Sequence, residues 1–156
     1  MTWYIGVIGG AECTEQEREL AEEVGREIAR RGAILICGGR GGVMEAASRG
    51  ARQAGGMVVG ILPGRHRGEG NSYLTVALPT GLGDARNAII ACAADALVAI
   101  GGGYGTLSEI GLALKMNKPV IGLGTWKLER PGLPGGIRPA TSAREAVELA
   151  LLLIST

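Results

Sequence analysis

The amino-acid sequence predicts an α/β fold, and three features of its 156 residues carry that prediction. Short apolar runs alternate with segments of helical length, the runs are apolar at nearly every position, and glycines follow most of them directly. Strands that are apolar throughout are typical of a parallel sheet covered on both faces, and right-handed crossovers then give a Rossmann-like, doubly wound sheet. The length suits one domain, which we expect to span residues 1–156.

The first strand and helix are predicted most directly. Residues 3–8 form an apolar run, and the Thr14-x-x-Glu17 pattern behind it is a capping box, which opens a helix. Apolar residues at a spacing of four continue to about Arg31, and Gly32 supplies the usual C-terminal stop.

The same alternation continues to the C-terminus. Asp84 is expected to be the N-cap of the third helix, and the Ser142-x-x-Glu145 pattern caps the last one. The further strands are expected at 33–37, 57–62, 73–78, 95–100 and 119–123. The helices between them are expected at 43–54, 85–94 and 106–116, with loops at 63–72 and 124–140.

Composition and charge argue against several classes of protein. The net charge is +1 and no five-residue run of one sign occurs, so neither nucleic acid nor an anionic membrane is an expected partner. Cys13, Cys37 and Cys92 form no Cys-x-x-Cys pair, which argues against a disulfide framework and a cysteine-built metal site. No apolar run approaches the roughly 18 residues of a membrane span. We therefore expect a soluble cytoplasmic protein without a metal.

Two glycine-rich turns, Gly38–Gly42 and Gly101–Gly105, are expected at the carboxyl edge of the sheet, where doubly wound folds bind ligands. Each turn leads from a strand into a helix. Such a turn offers unpaired backbone N–H groups and the positive end of the helix dipole, so it can hold a phosphate without a charged side chain. The alternative is that the glycines only permit tight turns.

Established nucleotide fingerprints do not fit these turns. The dinucleotide motif needs a third Gly or Ala, but Met44 and Thr106 occupy those positions. Lys115, Lys118 and Lys127 all lie away from the glycine runs, which excludes a P-loop and disfavours a pyridoxal-phosphate enzyme. The expected ligand is phosphorylated and nucleotide-like, outside these classes.

Three charged residues near the turns each have two interpretations. Glu109 follows Thr106 by three positions, where it either faces the ligand or closes a capping box. Arg86 lies in the first turn of a helix, where the dipole disfavours a cation by about 0.3–1 kcal/mol, so either an anionic ligand, Asp84 or a solvated rotamer compensates it. Arg40, flanked by glycines, either clamps a phosphate or is an exposed turn residue.

The segment Asp84-Ala85-Arg86-Asn87, followed by ADALVAIGGGYGTLSE at residues 94–109, resembles the lysine-decarboxylase-like or Lonely Guy (LOG) superfamily. That superfamily contains the LOG phosphoribohydrolases, often mislabelled lysine decarboxylases, and the molybdenum-cofactor carrier proteins. The LOG pattern Pro-Gly-Gly-x-Gly-Thr-x-x-Glu falls on residues 101–109, and its upstream arginine falls on Arg86. Residues 38–44 resemble the other LOG glycine signature.

The resemblance spans roughly residues 5–123 and implies a hydrolase function. In the phosphoribohydrolases, the second glycine run and Thr106 hold the phosphate of a nucleoside 5′-monophosphate. Arg86 and Glu109 then act at the bond between ribose and base, and no cofactor is required. Lysine decarboxylation is not expected.

Three departures from the LOG pattern are closer to the carrier branch. Gly101 replaces the family proline, Asn87 stands where the hydrolases usually have lysine, and the chain is shorter. A non-catalytic carrier would bind the molybdenum cofactor, a phosphorylated pterin, at the same turns. Both functions stay open, and the oligomeric relatives imply a homo-oligomer, a dimer or a tetramer.

The expected site combines the turns with the residues that the resemblance implies. The expected catalytic residues are Arg86 and Glu109. The expected phosphate- or ligand-binding residues are Gly9, Gly38, Gly39, Arg40, Gly41, Gly42, Asn87, Gly102, Gly103, Tyr104, Gly105 and Thr106.

Overall fold

The computed structural model describes residues 1–133 and 136–156, and within them the chain forms a seven-stranded sheet and five α-helices. The strands are β1 (Tyr4–Gly9), β2 (Ile34–Cys37), β3 (Val58–Leu62), β4 (Val76–Pro79), β5 (Ala96–Ile100), β6 (Val120–Leu123) and β7 (Arg138–Pro139). The α-helices are α1 (Glu15–Arg30), α2 (Val43–Gln53), α3 (Arg86–Ala93), α4 (Tyr104–Lys115) and α5 (Ala143–Ser155). The predicted Rossmann-like α/β fold is confirmed.

The order of the strands places a switch point at the centre of the sheet. The order is β4-β3-β2-β1-β5-β6-β7, and neighbouring strands are parallel throughout. The chain builds outwards from β1 to β4 and then returns to add β5 on the other side of β1. Gly9 pairs with Ile100 at the carboxyl ends of β1 and β5. Ligands of doubly wound sheets bind in the crevice at this point.

Helices cover both faces of the sheet, which explains the uninterrupted apolar strands. Along β5, Ala96, Val98 and Ile100 belong to the core cluster under α1, α2 and α5. Leu97 and Ala99 belong to the other cluster, under α3 and α4. All five residues are fully buried, so no position of the strand tolerates a polar side chain without a partner.

The first helix begins as its sequence predicts. The Thr14 hydroxyl accepts a hydrogen bond from the backbone N–H of Glu17 (3.1 Å), and the Glu17 carboxylate accepts one from the Thr14 N–H (2.9 Å). This reciprocal pair is the predicted capping box. It also fixes the direction of the Glu17 side chain, which matters at the site.

Two strand predictions need correction. The predicted strand 73–78 begins three residues late, at Val76, because a turn intervenes in which Tyr73 N–H donates to the side-chain oxygen of Asn71 (3.0 Å). The two-residue edge strand β7 lies inside the predicted loop 124–140. A pair of residues is too short to show the alternation by which strands are recognised.

The N-termini of α3 and α4 also differ from the prediction. Asp84 is not an N-cap: Gly83–Ala85 forms a short 3-10 turn, and α3 begins at Arg86 without a side-chain cap. Helix α4 begins at Tyr104, two residues earlier than predicted, with Gly103 as its N-cap. None of the helices in the described ranges combines the length and the apolar character that a membrane span requires.

Candidate functional site

The two glycine-rich turns lie at the carboxyl edge of the sheet, on either side of β1. One turn follows β2 and the other follows β5, and both strands neighbour β1. Since neighbouring strands are about 4.8 Å apart, the two strand ends are separated by roughly 10 Å. A small molecule can span that distance.

The turn between β5 and α4 is open to an anion. Gly101 and Gly102 adopt positive φ angles of 54° and 94°, which turn the chain sharply after Ile100. The backbone N–H groups of the first turn of α4 have no partner within the helix, and among the described residues no side chain caps them. A β-carbon on Gly103 or Gly105 would meet open space. Free donors therefore face an accessible volume at the positive end of the helix dipole.

Thr106 and Glu109 do not form a capping box. Thr106 is the third residue of α4 and not its N-cap, and its side chain packs over Gly102. Glu109 lies in the second turn, 7% exposed, and makes no hydrogen bond or ion pair with any residue in the described ranges. The capping interpretation is wrong, which leaves the carboxyl group of Glu109 without a structural role.

Burial controls the protonation of Glu109. Loss of hydration raises the pKa of its carboxyl group to about 7, and the nearby positive charge of Arg86 offsets only part of this rise. A carboxyl group with such a pKa exchanges its proton near neutral pH. Groups of this kind are enriched in functional sites.

Arg86 lies between the two glycine turns. It is the first residue of α3, and its guanidinium group occupies the space that a β-carbon on Gly38 would fill. Its Nε atom is buried and has no hydrogen-bond acceptor in the described part of the chain. Burial lowers the pKa of Arg86, with the Glu109 charge opposing and the Arg40 charge adding to the effect.

The structure brings Arg86 and Glu109 into electrostatic contact without pairing them. Each shifts the pKa of the other, yet no direct ion pair joins them among the described residues. Asp84 is exposed and forms no ion pair with Arg86 among the described residues, and its charge opposes the fall in the Arg86 pKa less than the charge of Glu109 does. The half-buried guanidinium group of Arg86 and the carboxyl group of Glu109 are therefore both available to pair with a third group.

The first glycine turn is more closed than the second. Gly39 and Gly42 have φ angles of 76° and 63°, and a β-carbon on Gly42 would collide with the carbonyl oxygens of Gly10 and Ala11. The backbone N–H of Val43, the first residue of α2, donates to Gly10 O at 3.0 Å. Close packing of this turn against the end of β1 uses a donor that an anion would need.

Other expected residues near the first turn have a clear structural place. A β-carbon on Gly9 would collide with the Ile100 carbonyl and the Val43 side chain, so glycine is needed there for packing. Gly41 is half-buried, and the side chain of Arg40 projects into solvent.

Asn71 is a further residue of the first glycine turn that the sequence does not indicate. Its N–H donates to Gly39 O at 2.8 Å, and its side-chain amide donates to Arg40 O at 3.0 Å. Asn71 therefore fixes the conformation of the first glycine turn from a loop 31 residues after Arg40. The only signal in the sequence is an asparagine in a loop that follows a neighbouring strand.

Asn87 braces the second turn. Its side-chain amide donates to the Ser108 hydroxyl at 3.1 Å, and Ser108 donates in turn to the carbonyl of Gly105 at 2.7 Å. Asn87 thus connects the start of α3 to the start of α4. Its donor group is engaged within the protein.

Thr125 and Trp126, which follow β6, also hold the glycine turn between β5 and α4, and the sequence analysis identified neither of them. The Thr125 hydroxyl donates to Gly101 O at 2.6 Å, and the Trp126 indole N–H donates to Gly103 O at 3.2 Å. Trp126 further stacks on Tyr104, with ring centroids 5.9 Å apart and planes inclined by 29°. Their position directly after a strand of the same sheet is the signal that could have found them.

Gly101 has a conformation that excludes proline. Its φ of 54° is far from the value near −65° that the proline ring imposes. A β-carbon at this position would also overlap the Glu17 carboxylate, which the α1 capping box holds in place. Position 101 of this turn therefore requires glycine and cannot accommodate proline.

A separate concave surface of the described residues lies away from the glycine turns. It is lined by residues that include Leu114, Lys118, Leu128 and Arg138, and it lies at the amino end of β6. That is the opposite edge of the sheet from the glycine turns. It includes none of the residues expected at the site.

Known proteins share this fold and much of this sequence. The family model described as the SLOG cluster4 family matches residues 2–149. An uncharacterized protein of Archaeoglobus fulgidus is 45% identical over 94% of this chain and 93% of its own length. The cytokinin riboside 5′-monophosphate phosphoribohydrolase of Rhodococcoides fascians is 33% identical, over 83% of this chain and 74% of its own.

A solved structure extends the similarity to the carriers. The molybdenum cofactor carrier protein of Chlamydomonas reinhardtii superposes with a TM-score of 0.87 at 36% identity. The superposition covers 99% of this chain and 100% of that one. Both branches of the resemblance are therefore represented among similar proteins.

Proposed function

This chain belongs to the SLOG cluster4 family, and we propose that it binds a phosphorylated small molecule whose phosphate lies at the N-terminus of α4. One observation carries the proposal. Among the described residues, Arg86 has a buried nitrogen without an acceptor, and the carboxyl group of the buried Glu109 makes no hydrogen bond, beside a helix start whose first N–H groups have no cap. Unpaired buried charges are costly, so a site that retains both is suited to a ligand that pairs with them.

Each part of the site has a distinct task in this proposal. The free N–H groups at the start of α4 hold the phosphate, helped by the helix dipole. Arg86 reaches between the two turns and neutralises a second negative or polar group of the ligand. Glu109, which exchanges its proton near neutral pH, either donates a hydrogen bond to the ligand or accepts one from it.

We propose the molybdenum cofactor, a phosphorylated pterin, as the ligand, so that the protein acts as a carrier. The full-length similarity to the Chlamydomonas carrier supports this assignment. The conformation of Gly101, which excludes the proline of the LOG pattern, also supports it. Asn87 supports the carrier assignment as well. The hydrolases usually have a lysine at this position, whereas here the side-chain amide of Asn87 donates a hydrogen bond to the Ser108 hydroxyl.

A second function, hydrolysis of nucleoside 5′-monophosphates, is favoured by the chemistry of Glu109. In that reaction water adds to C1′ of the ribose, the bond from C1′ to the base breaks, and the base leaves with a proton. Glu109 would stabilise the positive charge that develops on the sugar and accept a proton from the water. Arg86 would keep the ribose phosphate in register. No cofactor takes part.

The proposal also covers the compartment and the oligomeric state of the protein. Cys13, Cys37 and Cys92 are free thiols, which supports a cytoplasmic location. We propose a homo-oligomer, a dimer or a tetramer. Sedimentation at micromolar concentration should give a mass well above that of the 16.0 kDa monomer, and a monomeric profile would contradict this part.

The ligand and the reaction are tested together. The protein is purified under native, reducing conditions, bound small molecules are identified by mass spectrometry, and base release is measured with AMP, GMP, IMP and CMP. A carrier should retain a phosphorylated molybdenum pterin and release no base. Base release that falls by about 10²-fold or more in Glu109→Gln and Arg86→Ala would replace the carrier with the hydrolase. Glu19→Gln, at an exposed carboxylate of α1, is the matched control.

Absence of binding is the contradicting result. A chain that carries no phosphorylated molecule and has no measurable affinity for GMP or inorganic phosphate would overturn the proposed function as a whole.

A further inference from the structure

An aromatic pair, formed by the exposed Tyr104 and the half-buried Trp126, lies at the rim of the α4 turn. Tyr104 is the first residue of α4 and is 83% exposed, and one face of its ring stacks on Trp126. Among the described residues, no second aromatic ring stacks on Tyr104, so the other face of its ring is available to a ligand. The chain has only two tryptophans and three tyrosines and no phenylalanine, so two of its five aromatic side chains meet at this turn.

The turn itself holds the pair in place. The Trp126 indole N–H donates to the carbonyl of Gly103, which is the N-cap of α4. The preceding residue, Thr125, donates its hydroxyl to Gly101 O. These two hydrogen bonds fix the tryptophan beside the helix start, and the tryptophan then orients the tyrosine. The stacking surface is therefore preorganised before any ligand arrives.

Burial does not explain the position of Tyr104. A ring so exposed gains little from the hydrophobic effect, and a single polar residue would serve equally well at a solvated helix start. A flat, rigid aromatic surface beside an anion-binding turn is suited to one kind of ligand. That ligand is a phosphate connected by a short spacer to a planar heterocycle.

We propose that Tyr104, backed by Trp126, stacks on the heterocyclic ring of the ligand whose phosphate is bound by α4. This assignment rests on the proposed function and adds the element that selects a ring-bearing ligand over a plain sugar phosphate. Stacking of a base on an aromatic side chain tolerates different rings, because every base has a π-face. The pair can therefore serve either a nucleobase or a pterin.

The test compares two probes that differ only in the ring. GMP and ribose 5-phosphate share the phosphate and the sugar, and guanine shares its aminopyrimidinone ring with pterins. Dissociation constants are measured by calorimetry for the wild type, Tyr104→Ala and Tyr104→Phe. Tyr104→Ala should weaken GMP binding about 5-fold or more and leave ribose 5-phosphate binding unchanged, whereas Tyr104→Phe should restore GMP binding. Tyr4→Ala, at the amino end of β1, is the matched control.

A spectroscopic readout separates stacking from a structural effect. In a Trp3→Phe background, Trp126 is the sole tryptophan, and GMP should change its emission whereas ribose 5-phosphate should not. Equal losses for both probes in Tyr104→Ala, or no loss for either, would overturn the stacking assignment while leaving the phosphate site intact. A wild type that binds neither probe would instead remove the proposed function, and the stacking assignment with it.

Discussion

The guanidinium group of Arg86 lies directly against the α-carbon of Gly38, in the space that any β-carbon would occupy. This contact connects the first glycine turn to the cation of α3. It shows why a glycine follows β2: Gly38 makes room for the arginine at the start of α3. The first glycine run thus serves the site through Arg86, in addition to shaping its own turn.

The first prediction concerns Gly38→Ala. The three nearest atoms that the added methyl group would meet all belong to the flexible side chains of Arg86 and Met44, so the free energy of unfolding should fall by less than about 1 kcal/mol. The guanidinium must move, however. Because hydrogen bonds to charged groups contribute about 1.5–3 kcal/mol, GMP affinity measured by calorimetry should fall by about 10-fold or more.

A double mutant distinguishes this mechanism from a general disturbance. If Gly38→Ala acts through Arg86, adding it to Arg86→Ala should cause little further loss of affinity. Additive losses would show that Gly38 acts independently. Gly68→Ala, at a position where a β-carbon meets nothing, is the control and should bind GMP as the wild type does.

The second prediction concerns the phosphate turn. Gly103 has a negative φ of −107° and open space at its β position, so Gly103→Ala should fold with a stability within about 0.5 kcal/mol of the wild type. Its methyl group projects into the volume assigned to the anion. The affinity for inorganic phosphate, measured by calorimetry, should therefore fall several-fold.

The control for Gly103→Ala lies on the same helix. Gly111 is exposed and also has open space at its β position, but it lies two turns further along α4. Gly111→Ala should stabilise the protein by about 0.5–1 kcal/mol, since alanine is the better helix former, and leave phosphate binding unchanged. Equal phosphate affinity in the two variants would place the anion site elsewhere.

The third prediction compares two residues that the sequence presents as N-caps. Thr14→Ala removes an observed bond to the Glu17 N–H and should cost about 0.5–2 kcal/mol in urea unfolding. Asp84 makes no capping bond in the part of the chain that the structure describes, so Asp84→Ala should cost clearly less, within about 0.5 kcal/mol. A loss at Asp84 as large as that at Thr14 would show that the side chain caps α3 in solution.

These cases show where sequence reasoning succeeded. The sheet and its helices could be predicted because apolar runs, caps and glycine stops are local patterns, as the Thr14 and Glu17 pair illustrates. The start of α4 was placed too late because its N-cap, Gly103, acts through backbone conformation alone and carries no side-chain signal. For the same reason the sequence does not distinguish the two roles of Glu109.

The contacts that complete the site were beyond a local pattern. Trp126 and Thr125 bond to carbonyls 23 and 24 positions earlier in the chain, across two neighbouring strands of the sheet. The contact of Arg86 with Gly38 likewise depends on how α3 crosses the sheet. Such contacts follow from strand order, which the alternation of strands and helices does not determine.

The last prediction concerns the charge of Glu109. Its pKa is raised to about 7 from an ordinary value of 4.5, so between these two pH values the folded protein holds a proton that the unfolded chain has lost. The free energy of unfolding should therefore fall as the pH rises through this window, and the full cost of burying the charge is present above it. Glu109→Gln cannot ionise. It should match the wild type near pH 4 and exceed its stability by up to about 3 kcal/mol at pH 8, measured by urea unfolding across the window.

Glu19→Gln is the control for Glu109→Gln. This exposed carboxylate makes no ion pair among the described residues, so its removal should leave the dependence of stability on pH unchanged. A Glu109→Gln variant less stable than the wild type at pH 8 would show that the ionised carboxylate has a structural partner within the protein. In that case the carboxylate would not be available to pair with a ligand.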